Sequence, residues 1–429
     1  MHRRHLLQAA LAGATTLGSS THLWAAPAGS PRFLLVFLRG GYDALSLLVP
    51  TSSYYREVRP NIAIVERAAD KPADAVPGAL PLNADWGLHP VLGPTLMPLV
   101  AQGQARFLPF AGTDDLSRSH FETQDSIELG QPLGGRRDFG SGFLNRLAGV
   151  VGDGPSAGRS AIAFTDQLPL VMRGGLGVAN LSLKVEPRLG DARLRQALAD
   201  MYRGHPLQGR VDEAFDVRQE AVKDIAAGPA VAASGAMAGM AGTAGMNGMA
   251  GEQVSANRGA INAKGFELEA RRIARLMRER YVLGFVDVGG WDTHVGQGHG
   301  RGYLAARLDE LGRGLAAYAD ELGSAAWRHT VVVVLSEFGR TVRENGNRGT
   351  DHGHGSVHWV LGGALAGGAA VAGEQVAVEA QTLHQNRDLP VLNEYRAVLG
   401  GLLQRQFALS PAQLDLVFPG ARPRDLGLV

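Results

Sequence analysis

The first hydrophobic run of the chain, Phe33-Leu34-Leu35-Val36-Phe37-Leu38, is unbroken and stops at Arg39-Gly40-Gly41-Tyr42-Asp43. A strand-length run without polar alternation predicts a strand buried on both faces, as in a parallel sheet. Similar runs recur at 106–109, 161–164, 282–288, 330–335 and 357–361. Between them the period changes. Leu304, Leu308, Leu311, Leu315 and Leu322 recur at helical spacing, as do Ile273, Leu276 and Met277 one segment earlier. Strand, helix, strand in this order predicts βαβ units. The expected fold class is therefore α/β, a three-layer sandwich with a mostly parallel central sheet and helices on both faces.

The chain has 429 residues, 45% of them hydrophobic, enough for one large domain over residues 29–429. One segment departs from the pattern. Residues 226–256 are almost all Ala, Gly, Met and Ser, with Glu252 the only charge. Such a stretch supplies little burial and predicts a mobile insertion loop rather than a methionine-lined metal site.

At the N-terminus, Arg3-Arg4 precedes a weakly apolar stretch running to Trp24, and Ala26-Pro27-Ala28 offers a small-x-small cleavage site. Residues 1–28 read as a twin-arginine-type signal peptide, with an ordinary secretion signal as the alternative. The expectation is handling by the twin-arginine translocation machinery and a periplasmic or secreted protein. The apolar run is too short and too interrupted for a stable membrane anchor. A net charge of +1 gives no reason to expect nucleic acid as partner. The absence of Cys excludes disulfides, thiolate metal sites, Cys nucleophiles and a formylglycine made from Cys.

In open α/β sheets, ligands sit beyond the carboxyl ends of the strands. Asp43 follows the first run through two glycines, Asp292-Thr293-His294 follows the run ending at Val288, and Glu337 follows the run ending at Leu335. Asp351-His352-Gly353-His354 comes just before the run at Val357. Three histidines, His352, His354 and His358, lie within seven residues there, in a chain with 13. Imidazole together with carboxylate is a donor set for zinc, iron or manganese. The candidate ligands are Asp43, Asp292, His294, Glu337, Asp351, His352 and His354. The expected cofactor is a divalent metal, zinc first, with iron, manganese or calcium as alternatives. The alternative for Asp43 is a helix cap, and for Glu337 a surface salt bridge with Arg340.

The segment Ser117-Arg118-Ser119-His120-Phe121-Glu122 follows a strand and opens a predicted helix. A hydroxyl at a helix N-terminus faces unpaired N–H groups that favour an anion. Ser119 or Ser117 is thus a candidate nucleophile, with Arg118 and Arg340 to hold an anionic ester. The alternative is a capping box, since Ser119 and Glu122 have the S-x-x-E spacing.

The pieces FLRGGYDALSLLVP (37–50), GLHP (87–90), SRSHFETQDSIELG (117–130), DVGGWDTH (287–294), SEFGRT (336–341), GTDHGHG (349–355) and NEYRAVL (393–399) stand in one order along the chain. By them the chain resembles the bacterial domain-of-unknown-function family numbered 1501, whose members are often twin-arginine exported. That family is similar to the alkaline phosphatase superfamily of metal-dependent phosphatases, sulfatases and phosphomutases. The resemblance implies an alkaline-phosphatase-like sandwich, Asp43 and Asp292 with His294 as metal ligands, and Ser119 or Ser117 as nucleophile. The chain departs from the superfamily pattern in two places. Glu337-Phe338 stands where an Asp-His pair is usual, and the histidine after Asp292 is two residues on, the usual position being Gly296. Two functions follow as expectations: a metal-dependent hydrolase of phosphate or sulfate esters, or a non-catalytic exported protein whose cleft binds a surface polymer or protein partner.

Overall fold

The structure, a computed structural model, describes residues 29–64, 78–152, 158, 160–183, 192–209, 211, 212, 215 and 255–429. The expected signal peptide (1–28) and residues 226–254 of the expected insertion lie outside the described residues. The last residue of that insertion, Ala256, is buried.

Among the described residues, six apolar runs form the long strands of a nine-stranded sheet. They are β1 (Arg32–Leu38), β5 (Ala105–Gly112), β6 (Ala161–Phe164), β9 (Leu283–Gly289), β10 (Thr330–Ser336) and β11 (Ser356–Leu361). The short strands β7 (Ala179–Asn180), β8 (Ile261–Asn262) and β12 (Asn393–Glu394) extend it, in the order β12-β5-β11-β10-β1-β9-β6-β7, with β8 also on β9. The strands β2 (Leu48–Pro50), β3 (Leu80–Pro81) and β4 (Trp86–Leu88) make a separate small sheet. Pairing in the large sheet is parallel except where β11 runs antiparallel to both β10 and β5. The sheet is therefore mostly parallel, as the apolar runs predict.

Side chains alternate across β1, so the two faces bury different sets. Leu34, Val36 and Leu38 pack with the helices Phe266–Glu279 and Tyr303–Leu322, whereas Phe33, Leu35 and Phe37 pack with four others. Those four are α1 (His120–Leu129), α2 (Phe143–Val151), α3 (Tyr395–Phe407) and α4 (Pro411–Val417). Helices thus cover both faces, giving the three layers.

Register decides where the polar clusters go. Leu38 at the end of β1 pairs with Ser336 of β10 and Val288 of β9. The segments starting at Arg39, Gly289 and Glu337 therefore leave the sheet side by side. Because β11 is antiparallel, its start lies at the same edge. Ser356 pairs with Ala111 near the end of β5, which places the 351–355 loop beside the segment leading to α1.

Candidate metal centre

Two backbone ladders lock the loops at this edge together. Gly296 and Gln297 donate to the carbonyls of Asn347 and Arg348 at 2.9 and 3.0 Å, and Thr350 donates to Thr293 at 3.1 Å. Gly353 donates to Gly339 at 2.8 Å and Thr341 to Asp351 at 2.9 Å. The contacts are close enough to require glycine. A Cβ on Gly40, whose φ is +120°, would lie 2.7 Å from the backbone nitrogen of Asp292.

The centre of the site is Asp292, partly buried among three imidazoles. His294 Nε2 is 3.0 Å and His352 Nε2 3.5 Å from its Oδ1, and His120 Nε2 is 4.0 Å from its Oδ2. The donor atoms of His120, Asp292 and His352 all lie within 4.8 Å of one another. The Nδ1 of each imidazole faces an oxygen that accepts. His120 Nδ1 is 2.8 Å from Glu337 Oε1, His352 Nδ1 is 3.1 Å from the carbonyl of Arg118, and His294 Nδ1 is 3.1 Å from Asp351 Oδ1. A carbonyl or an ionised carboxylate has no proton to give, so the ring proton of His120 and of His352 sits on Nδ1, whereas His294 meets a carboxylate at both nitrogens, Asp351 at Nδ1 and Asp292 at Nε2. His120 Nε2 is buried and has no hydrogen-bond partner among the described residues. His120 and His352, each with the outer nitrogen held by an oxygen and the inner one without a proton, have the arrangement of metal-ligating histidines, and with Asp292 they fit a divalent ion.

Glu337 is entirely buried and does not face the centre. Its Oε1 accepts from the backbone nitrogen of Gly40 at 2.8 Å and from Gln124 Nε2 at 3.0 Å, besides His120. Burial pushes this carboxyl up, but the bonds from His120 and Gln124 outweigh it and bring it down to about 2. Gln124 is itself oriented. Arg39 Nη1 donates to its oxygen at 2.8 Å, so its amide group faces Glu337 and the carbonyl of Ala256. Arg39 is held in turn by Asp287 at 2.7 Å and Glu128 at 2.9 Å.

Arg340 is buried beside Asp292 and pairs with its Oδ1. It also donates to the carbonyls of Gly40, Gly41 and Thr350, and so ties three loops to one guanidinium. Burial raises the Asp292 carboxyl, while His294, His352 and Arg340 together hold it far below the ordinary carboxylate range.

The structure therefore gathers Asp292, His294, His352, Asp351 and Arg340 from the expected set and places the others elsewhere. Asp43 does not join the centre. Its Oδ2 accepts from Arg59 at 2.6 Å, Ser46 at 2.7 Å and Gln297 at 2.7 Å, and its Oδ1 accepts from Arg59 at 3.0 Å, so both oxygens are engaged away from the three imidazoles. Glu337 supports His120 rather than offering an oxygen of its own. Asp351 is half exposed and lies behind His294. His354 sits on a bend and turns to the His384 ring, centroids 5.2 Å apart, so it and His352 do not point the same way. Ser119 caps α1 by accepting from the Glu122 nitrogen at 3.5 Å, and Ser117 Oγ is 3.3 Å from Thr123 Oγ1. Neither hydroxyl bonds to a member of the centre. The Arg118 guanidinium turns away to Asp388, at 2.6 and 3.1 Å, and to Gln385.

His120, the first residue of α1, is the member that the sequence reading missed. The signal available was its place directly after a cap residue, on a helix whose opening turn follows a strand end.

A family described as "Protein of unknown function (DUF1501)" matches residues 30–418. No curated protein matches the sequence. Among solved structures, a protein in the alkaline phosphatase superfamily from Vibrio parahaemolyticus is similar at TM-score 0.33 and 11% identity, covering 84% of this chain and 69% of that one. Ps i-CgsB in complex with k-i-k-neocarrahexaose is similar at TM-score 0.35 and 8% identity, covering 90% and 74%. Likenesses this distant say nothing about the chemistry of the site.

Proposed function

The chain belongs to the DUF1501 family of proteins of unknown function, and from that premise we propose that it is an exported metal-dependent hydrolase of phosphate or sulfate esters. The single observation that carries this reading is the buried Nε2 of His120, without a hydrogen-bond partner among the described residues, set beside the donor atoms of Asp292 and His352. Burying a bare nitrogen costs free energy unless something binds it. Those three residues would hold the ion, with His294 adjoining. A divalent cation there would polarise an ester oxygen and lower the pKa of an attacking hydroxyl or water.

The protein's own groups prepare that centre. Glu337 and the Arg118 carbonyl keep a proton on the outer nitrogens of His120 and His352. Arg340 holds Asp292 in place and adds a positive charge beside it, which favours an anionic substrate. Water is the attacking group in this reading, since Ser117 and Ser119 are bonded elsewhere. The N-terminal residues 1–28 support export to the periplasm or beyond.

A second reading, a non-catalytic protein that binds a surface polymer or partner through this edge, is favoured by one observation. The guanidinium groups of both Arg118 and Arg340 are already committed to protein acceptors. The test is metal analysis of natively exported protein together with turnover of an aryl phosphate and an aryl sulfate. Stoichiometric metal, with turnover lost in Asp292→Ala, supports the hydrolase. Metal or no metal without turnover across common divalent ions supports the binding protein.

A further inference from the structure

Arg118 has a φ of +54°, in the left-handed region that residues with a side chain seldom enter. Strain of this kind at a functional edge invites the question of what it holds. The guanidinium is not the answer, because it lies against Asp388 and Gln385. The carbonyl is. It stands 3.1 Å from His352 Nδ1, and among the described residues it is the oxygen that bonds that nitrogen. A carbonyl only accepts, so the contact forces the proton onto Nδ1 and leaves Nε2 bare, 3.5 Å from Asp292 Oδ1.

The turn is built to present this oxygen. The Ser117 nitrogen donates to Asp115 Oδ1 at 2.9 Å, and the Ser119 nitrogen to Ser117 Oγ at 3.3 Å. Those bonds fix the backbone on both sides of residue 118. The side chain of His120 then enters the centre two residues later, so one short turn serves two imidazoles.

We propose that Arg118 is a positioning residue whose left-handed backbone, not its guanidinium, sets the tautomer and ring orientation of His352. The inference rests on the reading of the centre as a cation site, but its test does not depend on a cation alone. Three variants of the full chain separate backbone from side chain: Arg118→Gly, Arg118→Asn and Arg118→Val. All three lose the pair with Asp388. Gly and Asn tolerate positive φ, whereas a β-branched residue does not. Long-range proton–nitrogen NMR of histidine-labelled, metal-free protein reads the His352 tautomer directly. Zinc affinity by chelator competition provides the second readout, and thermal unfolding checks that each variant folds.

The expected result is an Nδ1–H His352 in wild type, Gly and Asn, lost in Val. Zinc affinity stays near wild type for Gly and Asn and falls about 10–100-fold for Val, the usual cost of losing an outer partner of a ligating histidine. Equal losses in Gly and Val would overturn the inference in favour of the guanidinium, and wild-type behaviour of Val would overturn it outright. The tautomer pattern without zinc binding in any form would uphold the positioning role and sink the cation reading instead.

Discussion

The Nε2 atoms of His294 and His352 stand 3.1 Å apart, with Asp292 Oδ1 at 3.0 Å from the first and 3.5 Å from the second. Two lone pairs at that separation repel unless a proton or a cation lies between them. Two imidazoles on one tetrahedral ion at ~2.0–2.1 Å would sit ~3.3 Å apart, close to what is seen. Without a cation, the proton belongs on His294. Its bond to Asp292 raises its pKa above the ordinary 6.5, although burial and Arg340 oppose the shift.

A cation entering the centre must therefore displace that proton. Because the His294 pKa is raised, the protonated form persists to higher pH than for a free imidazole. Cation affinity is expected to weaken already at neutral pH and to keep falling as the solution is acidified. Calorimetric titration with zinc in buffers of different ionisation enthalpy checks this. It should show net proton release that grows as pH is lowered toward 6.

Glu337→Gln removes the charge behind His120 while keeping the shape. Metal affinity is expected to fall about 10–100-fold, with the metal-to-protein ratio at saturation unchanged. A lower saturating ratio would instead mean that Glu337 is itself a ligand.

Asp43→Ala tests the opposite assignment. Arg59 would be left buried and unpaired, at a cost of about 3–5 kcal/mol in unfolding free energy by denaturant titration. Zinc content of the folded fraction should equal that of wild type, because all four contacts of this carboxylate are to protein groups.

His358 provides a pH test of the core away from the site. It lies on β11, entirely buried, with neither ring nitrogen partnered among the described residues, and burial pushes its pKa down to about 3. Below 6.5 the unfolded chain takes up a proton that the folded chain refuses, so stability falls as pH falls, until the folded pKa is reached. The slope from this group is about 1.4 kcal/mol per pH unit. Between pH 8 and pH 5, wild type should lose about 2 kcal/mol more than His358→Leu.

The large sheet was legible because strands buried on both faces carry unbroken apolar runs. Phe33–Leu38 and the five runs like it each became a long strand. Direction was not legible. Nothing in Val357–Leu361 marks β11 as antiparallel, since a buried run reads alike both ways. Asp292, His294 and His352 were legible as polar clusters at strand ends. His120 was not, because its partner Glu337 is 217 residues away and its neighbours Ser119 and Glu122 explain themselves as a helix cap. The same distance effect hid the partners of Asp43 and Glu337. A carboxylate at a strand end looks like a ligand until Arg59, Gln297, Gln124 and the Gly40 nitrogen are seen to fill it.

Anomalous diffraction from crystals grown with zinc would locate the cation itself. One strong peak is expected within ~2.0–2.2 Å of His120 Nε2, an Asp292 oxygen and His352 Nε2. A zinc-loaded crystal with no peak among those three residues, or with its strong peak at Asp43 or His354, would contradict this placement.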